Sequence, residues 1–215
     1  MQPASEANES PLAHVDWDKT APVAPVIPAL LAHCAARHRD RELLVFDDER
    51  LTYGEAVDQS ARFAARLLAS GVGKGTRVAL LLPNGPEFIV SWLAIARIGA
   101  VAVPVSTLST GVELARILND AGTSLLLATD RYLNADFIAR LAEALELPPA
   151  ASTLLSPRVP YLRAVWLWRG SAPWASAIDL STVDCPARHL VGIAEQLVTP
   201  ADSITISTYL IWEEL

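Results

Sequence analysis

The chain has 215 residues, of which 52% are hydrophobic and 19% charged, with a formal net charge of -7. That length and apolar content suit one large buried core, and the acidic balance, with no run of five basic residues, excludes the counterion-displacing surface of a duplex-binding protein. The longest apolar stretch, FIVSWLAIA at 88–96, is closed by Glu87 and Arg97 and falls far short of the ~20 residues a membrane span needs.

Residues 1 to 25 are rich in Pro, Ala and acidic side chains without periodicity and read as a poorly ordered tail. Glu6 and Glu9 interrupt the first ten residues, so no secretory leader is expected there. With Cys34 and Cys185 as the only cysteines, no disulfide framework is implied and the expected compartment is the cytoplasm.

From Ile27 to His38, the apolar residues Ile27, Leu30, Leu31 and Cys34 recur at helical steps. A short strand, LLVFDD, follows, and then LTYGEA, in which Thr52 and Glu55 have capping-box spacing. The helix opened there carries Ala56, Val57, Ala61, Ala64, Leu67 and Leu68 on one side and closes at Gly71, the usual left-handed cap.

The next residues, GVGKGT at 71–76, have the composition of a phosphate-gripping loop. The spacing denies it: Lys74 is followed by Gly75, and both the Walker and dinucleotide patterns would require glycine where Thr76 stands. The order is also reversed, because the segment runs from a helix C-terminus, the negative end of the dipole, into a strand. It reads as a structural connection.

Strand and helix then alternate. RVALLLP at 77–83 is a buried-type run; Asn84 and Pro86 suit the cap and first turn of a helix over about 86–98 that stops at Gly99. AVAVPV, ELARILNDAG and TSLLLAT continue as strand, helix and strand, with Ser106, Thr107, Ser109 and Thr110 serving as loop and N-cap. Residues 131–146 read as an amphipathic helix, LPPAASTLLSPRVP as an irregular link, LRAVWLWR as a strand, and DSITISTYLIW as the last strand. Continuous apolar strands separated by helices predict an α/β fold: a mostly parallel sheet with helices on both faces.

LTYGEA, PNGPEF with LAIARIGAVAVPV, and ELARILNDAG occur in that order. Together they resemble the N-terminal region of adenylate-forming enzymes, the superfamily of acyl-CoA synthetases, peptide-synthetase adenylation domains and luciferases. The resemblance covers about residues 26–205, and ELARILNDAG is more similar to acyl- or fatty-acid-CoA ligases. It implies an incomplete N-terminal subdomain over 26–207. The implied chemistry is ATP- and magnesium-dependent activation of a carboxylate as an acyl-adenylate, then transfer to coenzyme A.

The family's phosphate cradle is a Ser/Thr/Gly-rich loop resembling TSGTTGxPK, with backbone N–H groups around the phosphates. PADSITIS at 200–207 resembles its lead-in, but TYLIWEEL follows, and no glycine occurs after Gly192. Residues 208–215 are therefore read as a divergent end, consistent with a truncated or frameshifted reading frame. No catalytic, cofactor-binding or metal residue is assigned. The expectation is a fragment inactive alone, with ATP, magnesium and coenzyme A belonging to the family and not to this chain. The alternatives are a non-catalytic interaction module, or one half of a split ligase, pairing with a complementary chain or itself through the strand Ser203–Ile211.

Other constellations have plainer readings. Cys34 with His38 and Cys185 with His189 supply zinc-ligand types, but about 150 residues separate the pairs and neither has zinc-finger spacing. Trp166 and Trp168 share one strand face and, with Trp174, read as core aromatics in preference to a stacking platform. DDE at 47–49 reads as a solvated turn between two strands.

Overall fold

The computed structural model describes residues 23–148, 150–180 and 188–206. Most of the expected tail, residues 207–211 of the expected strand Ser203–Ile211, the divergent end 208–215 and Cys185 lie outside the described residues.

Helix α1 (Ile27–His38) is followed by the antiparallel hairpin β1 (Glu42–Phe46) and β2 (Glu49–Thr52). Asp47, at φ 50, turns the chain between them, where the acidic run was expected. Helix α2 (Tyr53–Ala69) starts on a complete capping box: the Thr52 hydroxyl accepts from Glu55 N–H at 3.2 Å, and the Glu55 carboxylate accepts from Thr52 N–H at 2.9 Å. Gly71, at φ 87, ends it, and Val72 N–H returns to the Leu67 carbonyl.

Four strands then alternate with helices: β3 (Arg77–Leu81), α3 (Pro86–Arg97), β4 (Val101–Pro104), α4 (Gly111–Asp120), β5 (Leu125–Ala128), α5 (Phe137–Ala144) and β8 (Ala164–Leu167). All pair in parallel in the order β4-β3-β5-β8, and β9 (Ser176–Ala177) adds to the outside of β8. Helix α6 (Arg188–Gln196) precedes Ile204–Ile206, which joins the free edge of β4 through a parallel bridge between Ala102 and Thr205.

The strands alternate between two cores. Val78 and Leu80 of β3, Leu125 and Leu127 of β5, and Trp166 of β8 face α2 and α3. Ala79 and Leu81, Leu126 and Ala128, and Val165 and Leu167 face α4 and α5. This is the helix-covered parallel sheet that the apolar runs predict. Trp166 and Trp168 pack on the fully buried Phe63 of α2, with ring centroids 6.3 and 5.3 Å away, while Trp174 packs on the opposite face.

Two expectations are corrected. Gly85 is the N-cap of α3, not Asn84; its φ of 149 lets the chain turn sharply into Pro86, a conformation L side chains avoid. Residues 131–136 form a small hairpin of β6 (Arg131–Tyr132) and β7 (Ala135–Asp136), because Leu133 at φ 52 reverses the chain. The helix there begins only at Phe137, where the Asp136 carboxylate accepts from Ala139 N–H at 3.0 Å. Helix α6 was not anticipated: Leu190, Val191, Ile193 and Ala194 recur at helical steps, but Gly192 stands among them.

Replacing Phe63 by Ala should cost about 3–5 kcal/mol in denaturant unfolding and shift the tryptophan emission of the folded state, because Trp166 and Trp168 lose their shared packing partner. Glu55 and Glu113 are held below the usual carboxylate range by the backbone N–H and then the hydroxyl of Thr52 and Thr110. A lowered folded-state pKa contributes stability that is present above the unfolded value and lost as pH falls through the folded one. The difference in urea midpoint between the wild type and the Thr52→Ala/Thr110→Ala variant should therefore be largest at neutral pH and shrink in acid.

Candidate functional site

An open parallel sheet offers a ligand crevice beyond the carboxyl ends of its strands, where strand order reverses. Here that point is β3: α3 carries the chain to β4 on one side, and α4 returns it past β3 to β5 on the other. A crevice of about 240 Å³ lies there, lined by Pro83–Glu87 after β3, Thr129, Arg131 and Tyr132 after β5, Arg169 after β8, and Phe46 and Glu49 of the hairpin. A neighbouring hollow at the ends of β3 and β4 is lined by Leu82, Phe88, Ser106 and Thr107, among others.

The loops after β5 and β8 approach closely. A Cβ on Gly170, which has φ +77, would lie 2.3 Å from Asp130 Cβ, so only glycine fits. This contact brings Arg169 over the crevice, where its Nε donates to Glu87 Oε1 at 2.8 Å and its Nη2 lies 3.8 Å from Glu49 Oε1. The hydrogen bond to Glu87 and its negative charge push the Arg169 pKa above its ordinary value. The second cation, Arg131, has Asp136 at 3.6 Å. Even the positive end of the α3 dipole is answered, since Glu87 stands in its first turn.

The two arginines of the crevice, where the ATP phosphates that the resemblance implies would find cations, each stand beside a carboxylate. A triphosphate would meet two arginines already paired with carboxylates, and a cation would have to take Glu49 and Glu87 from Arg169. Among the described residues, no group of three or more His, Cys, Asp or Glu side chains is disposed to hold a metal ion.

The residues singled out in the sequence lie elsewhere or hold the fold together. GVGKGT sits at the amino end of β3, opposite the crevice; Lys74 donates to the Leu197 carbonyl at 2.7 Å and pairs with Asp202 at 2.9 Å. The Thr110 hydroxyl caps α4, Ser106 Oγ accepts from Leu108 N–H, and the Thr107 carbonyl accepts from Arg140. Cys34 lies in an apolar hollow, and His38 and His189 are exposed. Sequence reasoning missed Glu49, Glu87 and Arg169. The switch-point rule pointed to the loop after β3, but which strands flank β3 is set by tertiary pairing.

Comparison with known proteins agrees with this architecture. The family model described as AMP-binding enzyme matches residues 31–183. A long-chain-fatty-acid–CoA ligase, FadD13, of Mycobacterium tuberculosis is 41% identical over 80 residues, 37% of this chain and 16% of that protein. The long-chain-fatty-acid–CoA ligase of Bacillus subtilis is 32% identical over 104 residues, 48% of this chain and 19% of that one. The chain thus spans less than a quarter of either relative's length. The crystal structure of a putative long-chain-fatty-acid CoA ligase from Rhodopseudomonas palustris superposes with a TM-score of 0.56 at 24% identity, covering 84% of this chain and 37% of that one, which is a likeness of fold. On the family match over residues 31–183, the chain belongs to the AMP-binding enzyme family.

Proposed function

We propose that this chain is the N-terminal scaffold of an AMP-dependent acyl-CoA ligase, the class that activates a carboxylate with ATP and passes the acyl group to coenzyme A, and that it does not complete the reaction alone. The observation that carries the reading is the paired state of the crevice. The sheet presents a crevice where this fold class binds ligands, yet Arg169 is held by Glu87 and Glu49, and Arg131 by Asp136. A polyanion there must compete with those carboxylates for the arginines. The described residues retain the scaffold and its switch point, and a cytoplasmic setting belongs to the same reading.

A second reading, an interaction module or one half of a split ligase, has its own support. Leu190, Ile193 and Leu197 leave an apolar stripe exposed along and just beyond α6. Beside it, Ile204–Ile206 bonds to β4 on one side, so a complementary chain or a second copy pairing through Ser203–Ile211 would extend the sheet.

The isolated chain should give no ATP–pyrophosphate exchange above background with a panel of fatty and aromatic acids; turnover would overturn the scaffold reading. A single monomeric peak in size exclusion, with no exchange on adding the portion of a related ligase that lies beyond the matched region, would remove the second. Replacing Glu49 and Glu87 by Gln frees Arg169, so binding of inorganic tripolyphosphate should tighten by roughly tenfold when measured by calorimetry. Unchanged affinity would mean that carboxylate pairing is not what closes the crevice to anions.

A further inference from the structure

The five-stranded sheet ends at β9, and an arginine from a helix stands over that end. Ile178 N–H donates to the Leu167 carbonyl at 2.7 Å, and Leu167 pairs with Ala177 in the parallel register, so the Ala177 N–H and carbonyl point away from β8. Ile178 turns into the core that α2 and α3 cover, while Ser176, Ala177 and Asp179 lie exposed. An extended edge of this kind presents outward acceptors at every second residue, a template for another strand. Here both are taken. Arg66 of α2 donates from Nη2 to the Ala177 carbonyl at 2.6 Å and from Nη1 to the Asp179 carbonyl at 2.9 Å. We propose that Arg66 guards this edge: its guanidinium occupies the acceptors through which β9 of a second copy would pair with β9, and so keeps the sheet from extending from one molecule into another.

The contact is built for that role. The two carbonyls stand two residues apart on extended chain, and a planar fork with donors on both terminal nitrogens reaches both, which the single ammonium of a lysine does not. The fork is also held in place: Arg66 Cζ lies 5.0 Å from the centroid of the Trp166 ring, a cation–π contact, and Trp166 packs on Phe63. A second copy arriving edge to edge would present the same patch, so each Arg66 would also bring its charge towards the other. Without the arginine little would hold two such edges apart, since Ser176–Leu180 carries the single charge of Asp179. The opposite end of the sheet is closed differently, by chain: Ile204–Ile206 bonds to Ala102 of β4.

Sedimentation velocity of the full chain over a range of concentrations tests the guard, with circular dichroism and urea unfolding to establish that each variant is folded. Arg66→Met, which keeps an unbranched stem over Trp166 but has no donor, should self-associate about tenfold more tightly than the wild type. Adding Ala177→Pro should return association to the wild-type level: the Ala177 N–H faces away from β8, so proline leaves that pairing intact and blocks only an outside strand. Should Arg66→Met fail to fold, Arg66→Lys, which reaches one carbonyl, should show a smaller increase in the same direction. Folded arginine variants that associate no more than the wild type would overturn the proposal. So would association that survives Ala177→Pro, because the contact would then lie elsewhere. Pairing through Ile204–Ile206, at the other end of the sheet, would appear in the wild type and ignore Ala177→Pro, which separates this result from the interaction-module reading.

Discussion

The pairing of β3 with β4 on one side and β5 on the other is the constraint on which the rest of the molecule depends. Both neighbours are parallel to β3, so both connections must cross over, and they cross on opposite faces because α3 and α4 leave in opposite directions. Each face of β3 must then be apolar, and it is: Val78 and Leu80 serve one core, Ala79 and Leu81 the other. The same reversal parts the loops at the carboxyl ends and opens the crevice there. Core and candidate site are two results of one strand order.

The electrostatics of that crevice follow from how its cations are held. Arg169 arrives over the carboxyl end of β8 with Gly170 pressed on Asp130, and Glu87 comes from the first turn of α3. An arginine so placed is a natural anion contact. Here its N–H fork is already directed at carboxylates, and the charge-assisted bond to Glu87 raises its pKa above the ordinary value. An incoming anion must compete with a bound carboxylate as well as with water.

How much of this was legible in the sequence divides along a physical line. Elements whose ends are fixed by local chemistry were readable: the Thr52–Glu55 box, the Gly71 and Gly99 caps, and the apolar runs of β3, β4 and β5. So was the negative reading of GVGKGT, whose Lys74 proves to be engaged with Leu197 and Asp202. Features that depend on contacts distant in sequence were not. A helix was expected over 131–146, yet the backbone reverses at Leu133 and Phe137 N–H donates to the Asp130 carbonyl, a turn with no glycine or proline to announce it. The crevice triad of Glu49, Glu87 and Arg169 joins three separate segments, and no spacing rule connects them.

Helix α6 shows why tertiary electrostatics can place an element that local propensity would not. Arg97 ends α3 almost fully buried, and burial pulls its pKa below the ordinary guanidinium value while the Glu195 carboxylate works against that. A buried cation must be satisfied on several sides. Val57 and Ser60 of α2 accept from one nitrogen at 2.9 and 3.1 Å, and Glu195 of α6 lies 2.8 Å from Nε. Removing Glu195 would leave the charge in the core without its counter-ion, so α6 is held against α2 and α3 despite Gly192 within it. Lys74 then fixes the residues that follow through Leu197 and Asp202, and the chain reaches the edge of β4 at Ala102. The last strand-like segment thus reaches the sheet after two ion pairs have held the chain before it. Its register at the edge is set by the Ala102 N–H bond to the Ile204 carbonyl and the Ile206 N–H bond to the Ala102 carbonyl, each 2.9 Å.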